Sequence, residues 1–343
     1  MSAPQIQIDR QLANLTALAG GLLGDLLRPL DEPDVTDVLV NADARLWVNR
    51  LGRGFEIEGS FPASRAQLLL NGIATMRQIE FNHDHPILET IFPLTGDRIE
   101  GLIAPIVSAP VFAVRTRPKK IYRLSDLADS GILTDKHDPL NQHRHHDDFA
   151  DLATGRDHLE VLRLACQYHR NILLVGPTGS GKTAVANGII SEWQDFTPND
   201  RVVIIEDTPE LQCSLPNHVQ LLATARVSQA DLLAVSLRLI PKRIVVGEVR
   251  ETEPARVLLG AWNTGHSGGL ATIHANDSLS GLRRLETLIG GHGASVREQI
   301  AAAIDVVIFI DAESSLPARR KIRDVMVMRG YDRERNDYTV EHL

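Results

Sequence analysis

Eight consecutive residues, Gly176, Pro177, Thr178, Gly179, Ser180, Gly181, Lys182 and Thr183, carry the most specific chemistry in the chain. The glycines let backbone N–H groups turn inward around a phosphate. The lysine supplies a mobile cation toward the β- and γ-phosphates, and the threonine places a hydroxyl where it can ligand magnesium. The apolar run from Asn171 to Val175 reads as a strand feeding the loop, and Ala184 to Ile190 opens a helix whose positive N-terminal end points at the same charge. At a background of about 7% glycine, the pattern arises by chance in such a chain roughly one time in a hundred. A dinucleotide fingerprint would space its glycines G-x-G-x-x-G. Here they stand at positions one, four and six, and the following Lys-Thr would have no role.

Cleaving ATP, as opposed to binding it, also requires an oriented water, a held magnesium ion and cations on the developing charge. Two apolar strands end in acids. Arg243 to Val246 runs into Gly247 and Glu248, and Val202 to Ile205 runs into Glu206 and Asp207. Ligands of parallel sheets gather at the C-terminal strand edge, so Glu248 is the first choice for water activation or the magnesium shell, and Glu206 the second. Asp207 reads equally as a turn or helix cap. In Thr264 to Asp277, His266 sits in a glycine-rich turn and His274 at a strand end, expected on the same side, where imidazoles can donate to phosphate oxygens.

The elements that must position these groups follow from the rhythm of the chain. After about residue 151, strands at 171–175, 202–206, 243–247, 269–273 and 305–310 alternate with helices near 157–168, 182–193, 228–239, 252–263, 278–289 and 294–304. Such alternation implies an open, mainly parallel sheet with helices on both faces. Before it, Leu12 to Leu30 has the spacing of an amphipathic helix ending at Pro29, whose apolar face is expected on the N-terminal domain, with a membrane surface as the alternative. Val35 to Val40 and Arg45 to Asn49 read as a hairpin, followed by a turn at Gly52 and Gly54. Residues 63–80 read as a helix, and 88–92, 98–103 and 111–116 as strands. Between Arg117 and about residue 150 the pattern dissolves, apart from a short helix near Leu124. His143, His145 and His146 read there as solvated linker in preference to a metal site.

With 343 residues, a two-domain chain is expected. A net charge of −8 argues against a protein whose main task is to coat nucleic acid. Cys166 and Cys213 have no metal or redox spacing and read as reduced, buried thiols of a cytoplasmic protein. The longest apolar stretch, Leu15 to Leu27, is too short and too interrupted to span a bilayer.

The four elements GPTGSGKT, VVIIEDTPEL, RIVVGEVRE and TGHSGGLATIHAND, in this order, resemble the traffic ATPases of bacterial secretion, pilus and conjugation machines. AWNTGHSGGLATIHAN and EDTPELQC look most like the conjugal-transfer ATPases of type IV secretion. The resemblance extends to the N-terminal half through Val38 to Trp47 and Gly96 to Gly101. It implies an α/β fold class, with a C-terminal RecA-like P-loop NTPase domain (151–343), a smaller α+β N-terminal domain (1–116) and a linker (117–150). It also implies ATP and magnesium as ligands, ATP between the two domains, and a homohexameric ring. The ring would be cytoplasmic, peripheral at the inner membrane and docked on inner-membrane components of the channel. By resemblance Glu206 belongs to the acidic box, Glu248 to Walker B, and His266 and His274 to the histidine box. Arg98 and Arg115 match N-domain arginines expected to reach phosphate, from a neighbouring subunit in one arrangement. Lys242 stands where the family commonly has an acid, which removes an acidic contact before the Walker B strand. No four-cysteine zinc insertion is present, which favours type IV over type II secretion. A pilus assembly or retraction motor is the alternative within the superfamily, and a nucleotide-dependent binding module the alternative outside it. The two acids at strand ends argue against the binding module. Cargo, docking partners and any nucleic-acid contact are not written in these motifs.

Overall fold

The apolar runs of the sequence become the strands of two separate sheets. The computed structural model of the protein describes residues 24–93, 95–119, 123–129, 146–291, 293–312 and 320–343. Two units emerge: residues 1–136 with 224–226, and residues 137–223 with 227–343.

In the first unit, helix α1 (Gly24–Asp31) precedes β1 (Val35–Val40), β2 (Arg45–Arg50), β3 (Gly54–Ser60), α2 (Ala63–Arg77), β4 (Ile87–Ile91), β5 (Arg98–Leu102), β6 (Val111–Arg115) and α3 (Leu124–Asp129). The strands form one antiparallel sheet in the order β3-β2-β1-β6-β5-β4. Its core joins Leu26 and Leu30 of α1 and Leu70 and Ile73 of α2 to Val38, Val48, Phe61 and Phe112. Phe61 meets Phe112 edge to face at 5.6 Å. Gly101 on β5 has no side chain because Leu70 fills that space, 2.4 Å from where a Cβ would stand. Two expectations are corrected. The helix around residue 29 continues through Pro29 to Asp31. The turn expected at Gly52 and Gly54 ends at Arg53, and residues 54–60, where no strand is expected, form an edge strand that is almost wholly exposed, so no apolar alternation marks it. The expected helix before Gly24 lies outside the described residues.

The second unit continues with α4 (His146–Ala153), α5 (His158–Gln167), β7 (Ile172–Val175), α6 (Lys182–Phe196), β8 (Val202–Glu206), β9 (His218–Leu222), α7 (Gln229–Ser236) and β10 (Arg243–Val246). It ends with α8 (Thr252–Asn263), β11 (Leu270–Ile273), α9 (Ser278–Ile289), α10 (Ala294–Ala303), β12 (Val306–Ala312), β13 (Arg320–Asp332) and β14 (Asp337–His342). The sheet order is β14-β13-β12-β7-β11-β10-β8-β9, parallel from β12 to β9 and antiparallel through β13 and β14. Strand β8 shows why both faces are covered: Val202 and Ile204 join a cluster with Ile190 and Trp193 of α6, while Val203 and Ile205 on the opposite face are equally buried. Truncating Trp193, 1% exposed, would cost about 3–5 kcal/mol.

The end of the expected linker is also corrected. Phe149, Ala150 and Ala153 of α4 are buried in the second unit's core, so helical order begins by His146. The periodicity is hidden by the polar residues in front of it. His143 and His145 lie outside the described residues. Both cysteines are free thiols, and burial pushes Cys166 up to about 12 and Cys213 to about 11. Among the described residues no helix is long and apolar enough to cross a membrane.

Candidate active site

Strand β7 lies inside the sheet with β11 on one side and β12 on the other, so the loop leaving it emerges at the centre of the C-terminal edge. The turn into α6 uses left-handed backbone at Gly179 (φ 78°) and Gly181 (φ 99°), which favours glycine. Gly176 is glycine for a different reason: a Cβ there would stand 2.3 Å from the carbonyl oxygen of Ile310. Lys182 folds back on the loop. Its Nζ donates to the carbonyls of Gly176 (2.8 Å) and Pro177 (3.0 Å) and to Nδ1 of His274 (3.3 Å). Burial lowers its pKa against the opposing pull of Glu248.

His274 reaches this point because β11 ends at Ile273 and Asp277 caps α9, accepting from the Ser280 amide at 2.7 Å. Its Nε2 lies 2.9 Å from Oε1 of Glu248. With Nδ1 accepting from the lysine, Nε2 is the donor to the carboxylate. Glu248 also receives Arg250 at 2.8 Å. Burial raises its pKa, but the Arg250 hydrogen bond, the polar contact with His274 and the charges of Arg250 and Lys182 outweigh it and hold the carboxyl below its ordinary range. Thr272 fixes the end of β10 by donating to the Gly247 carbonyl at 2.7 Å.

Glu206 sits next to Gly247, whose missing side chain makes room for it: a Cβ there would be 3.0 Å from Glu206 Cγ. The Glu206 carboxylate is buried, which raises its pKa. The amides of Glu210 and Leu211, each donating to Oε1 at 2.9 Å, oppose that rise. The bend places Glu210 over α6, where it accepts from the Thr183 hydroxyl at 3.0 Å. Asp207 faces the cleft within 3.7 Å of Arg250. The cleft, about 690 Å³, is bordered by Thr178, Gly179, Gly181, Lys182, Thr183, Glu206, Glu210, Glu248, His274 and Arg320.

These residues fit ATP and magnesium on their own geometry. Among the described residues, nothing lies within 4 Å of where a Gly179 Cβ would stand, and the buried hydroxyl of Ser180 has no hydrogen-bond partner. The Thr183 hydroxyl and the Glu210 carboxylate stand side by side as oxygen donors, the ligand type that a hard cation takes.

The family model described as "Type II/IV secretion system protein" matches residues 140–321, the segment that builds this cleft. The chain is 38% identical over 322 residues to a conjugal transfer protein TrbB of Rhizobium radiobacter, covering 93% of this chain and 91% of the relative. The chain belongs to the type II/IV secretion system protein family. A VirB11 protein of Rhizobium radiobacter is 30% identical over 310 residues, covering 84% of this chain and 88% of that one. The fold is similar to that of the crystal structure of the VirB11 ATPase from the Brucella suis type IV secretion system in complex with sulphate: TM-score 0.81, 25% identity, 93% of this chain and 96% of that one. This secretion-family chain is a VirB11/TrbB-type ATPase, as the motif order implied.

Within this secretion-family fold the structure gathers Lys182, Thr183, Glu206, Glu248 and His274 in one cleft. His266 is a correction. It precedes β11, so the full strand separates it from His274, and it lies toward the N-terminal edge with its amide bonded to the Ala261 carbonyl at 3.2 Å. Burial and the charge of Lys242 keep its pKa low. Arg98 and Arg115 are cross-strand partners in the first unit, where Arg115 Nε lies 3.2 Å from the buried Asp37. Lys242 is exposed, and its neighbour Arg243, fully buried, pairs with Asp200 at 2.7 Å. Sequence reasoning missed Glu210 and Arg250 as members of the site, although both stand next to the motifs it used, and it missed Arg320 altogether.

Proposed function

We propose that this chain is the magnesium-dependent, ATP-hydrolysing subunit of a homohexameric motor, peripheral at the inner membrane, that powers substrate transfer or pilus assembly in a conjugation or type IV secretion system. The observation that carries this reading is the continuous chain Lys182–His274–Glu248 across the mouth of the phosphate loop. It ties the cation for the phosphates to the carboxylate for the water.

Lys182 leaves its two carbonyl partners to meet the β- and γ-phosphates. The amides of the loop and the first turn of α6 hold the phosphate chain. Glu248, kept ionised by its neighbours, orients the attacking water and accepts its proton. His274 links Glu248 to Lys182, so the carboxylate and the phosphate cation are positioned together. Thr183, with Glu248, would hold magnesium, and Glu210 stands ready behind the Thr183 hydroxyl. When bound, the metal neutralises phosphate charge and polarises the phosphoryl group. We also propose an N-terminal domain of 1–116, a linker from 117 to the start of α4, and an ATPase domain from α4 to 343. Arg98 and Arg115 would bring positive charge to the phosphates, from a neighbouring subunit in a ring. Channel components at the inner membrane are the proposed partners.

Magnesium-dependent turnover measured across a protein concentration series, with mass photometry on the same samples, tests the motor reading. Turnover that rises with assembly to a six-subunit mass and is lost in Lys182→Ala supports it. A monomer that binds ATP and never turns it over replaces it with a nucleotide-dependent binding module.

A further inference from the structure

Sheet order divides the neighbourhood of the phosphate loop into two flanks. On the β11, β10 and β8 side stand His274, Glu248 and Glu206, the groups suited to the reacting end of the nucleotide. On the β12 and β13 side, the cation that lines the cleft among the described residues is Arg320, the first residue of β13. Its side chain lies directly over Gly181: a Cβ there would stand 2.7 Å from Arg320 Cδ and 3.5 Å from Nε. Arg320 is exposed and lines the cleft, and no ion pair or hydrogen bond among the described residues engages its guanidinium. Arg250, in contrast, is already committed to Glu248.

We propose that Arg320 is a nucleotide-binding residue supplied by the same chain, its guanidinium pairing with the α- and β-phosphate oxygens. The placement favours this part of the nucleotide. The glycine-rich loop cradles the α- and β-phosphates with its backbone, while its lysine reaches toward the γ-phosphate. Arg320 packs on the backbone end of that arrangement, across the loop from Glu248. An arginine there grips ATP and ADP alike, and its planar fork suits phosphate better than an ammonium does. It therefore contributes to holding nucleotide and not to the chemical step. This inference rests on the nucleotide reading of the cleft.

The test compares wild type, Arg320→Ala and Arg320→Lys, all full length, by calorimetric titration with ADP, GDP and a non-hydrolysable ATP analogue, followed by steady-state turnover. The account expects Arg320→Ala to weaken all three nucleotides by a similar factor of about tenfold. KM for ATP should rise in step, kcat should stay within about twofold, and Arg320→Lys should recover part of the loss. Unchanged affinity in Arg320→Ala, with wild type binding normally, overturns the inference and leaves the nucleotide site standing. Loss confined to ADP and the ATP analogue, with GDP spared, assigns Arg320 to the base and overturns the phosphate contact. A fall in kcat at unchanged affinity places it at the reacting end, against the proposal. Wild type that binds none of the three overturns both this inference and the reading beneath it.

Discussion

Glu210 accepts a 3.0 Å hydrogen bond from the hydroxyl of Thr183, joining the bend after β8 to the first turn of α6. That bend exists because the buried Glu206 carboxylate gathers the amides of Glu210 and Leu211. One acid therefore shapes the loop that delivers another to the hydroxyl.

Glu210→Gln keeps the side-chain shape and can still accept from Thr183, but it removes the negative charge. If Glu210 supports the cation held at Thr183, the variant should need more magnesium for half-maximal turnover, by about tenfold, with ATP-analogue binding in EDTA unchanged. A magnesium titration of turnover is the measurement. An unchanged midpoint would make Glu210 a loop anchor only.

Arg243 is fully buried, lies 4.6 Å over the Trp193 ring, and donates to Asp200 at 2.7 Å as well as to three other oxygens. Asp200→Asn leaves that charge without its counter-ion and should cost about 3 kcal/mol in urea unfolding. The pH dependence has a definite sign. Burial raises the Asp200 pKa, but His169 and Arg243 outweigh it and hold the folded-state value below the ordinary 3.8. The stability it contributes is complete above 3.8 and fades as pH falls through the lower folded value. Urea midpoints measured below pH 4 should therefore converge for wild type and variant.

Two glycines of the loop-helix segment should respond in opposite directions. Gly176→Ala drives a Cβ onto the Ile310 carbonyl, a backbone atom that cannot yield, so ATP affinity should fall about tenfold or more. Gly188 is exposed inside α6 with open space around it, so Gly188→Ala should stabilise the protein by roughly 1 kcal/mol and leave binding intact. Thermal melts paired with nucleotide titrations check both.

The sequence made the second unit legible wherever function and local pattern coincide. The phosphate loop needs its strand and helix next to it, and Glu206 and Glu248 are marked by the apolar strands they end. What it hid depends on distance along the chain or on exposure. Arg243 and Asp200 are 43 residues apart, and no local rule pairs them. Arg320 reaches the loop only because β13 turns back antiparallel on β12, which an alternating strand-helix rhythm does not announce. The solvent-facing edge strand β3 lacks the alternation that exposes a strand to pattern reading. His266 was misplaced because it shares a motif with His274, yet a parallel strand carries the two to opposite edges.

The most direct test of the site is Glu248→Gln, measured for ATP-analogue affinity and for magnesium-dependent turnover on the same preparation. The account predicts affinity within about threefold of wild type and turnover reduced about 10²-fold or more, because water orientation is lost while the phosphate loop is intact. Full turnover in that variant would contradict the central claim and remove Glu248 from the chemistry.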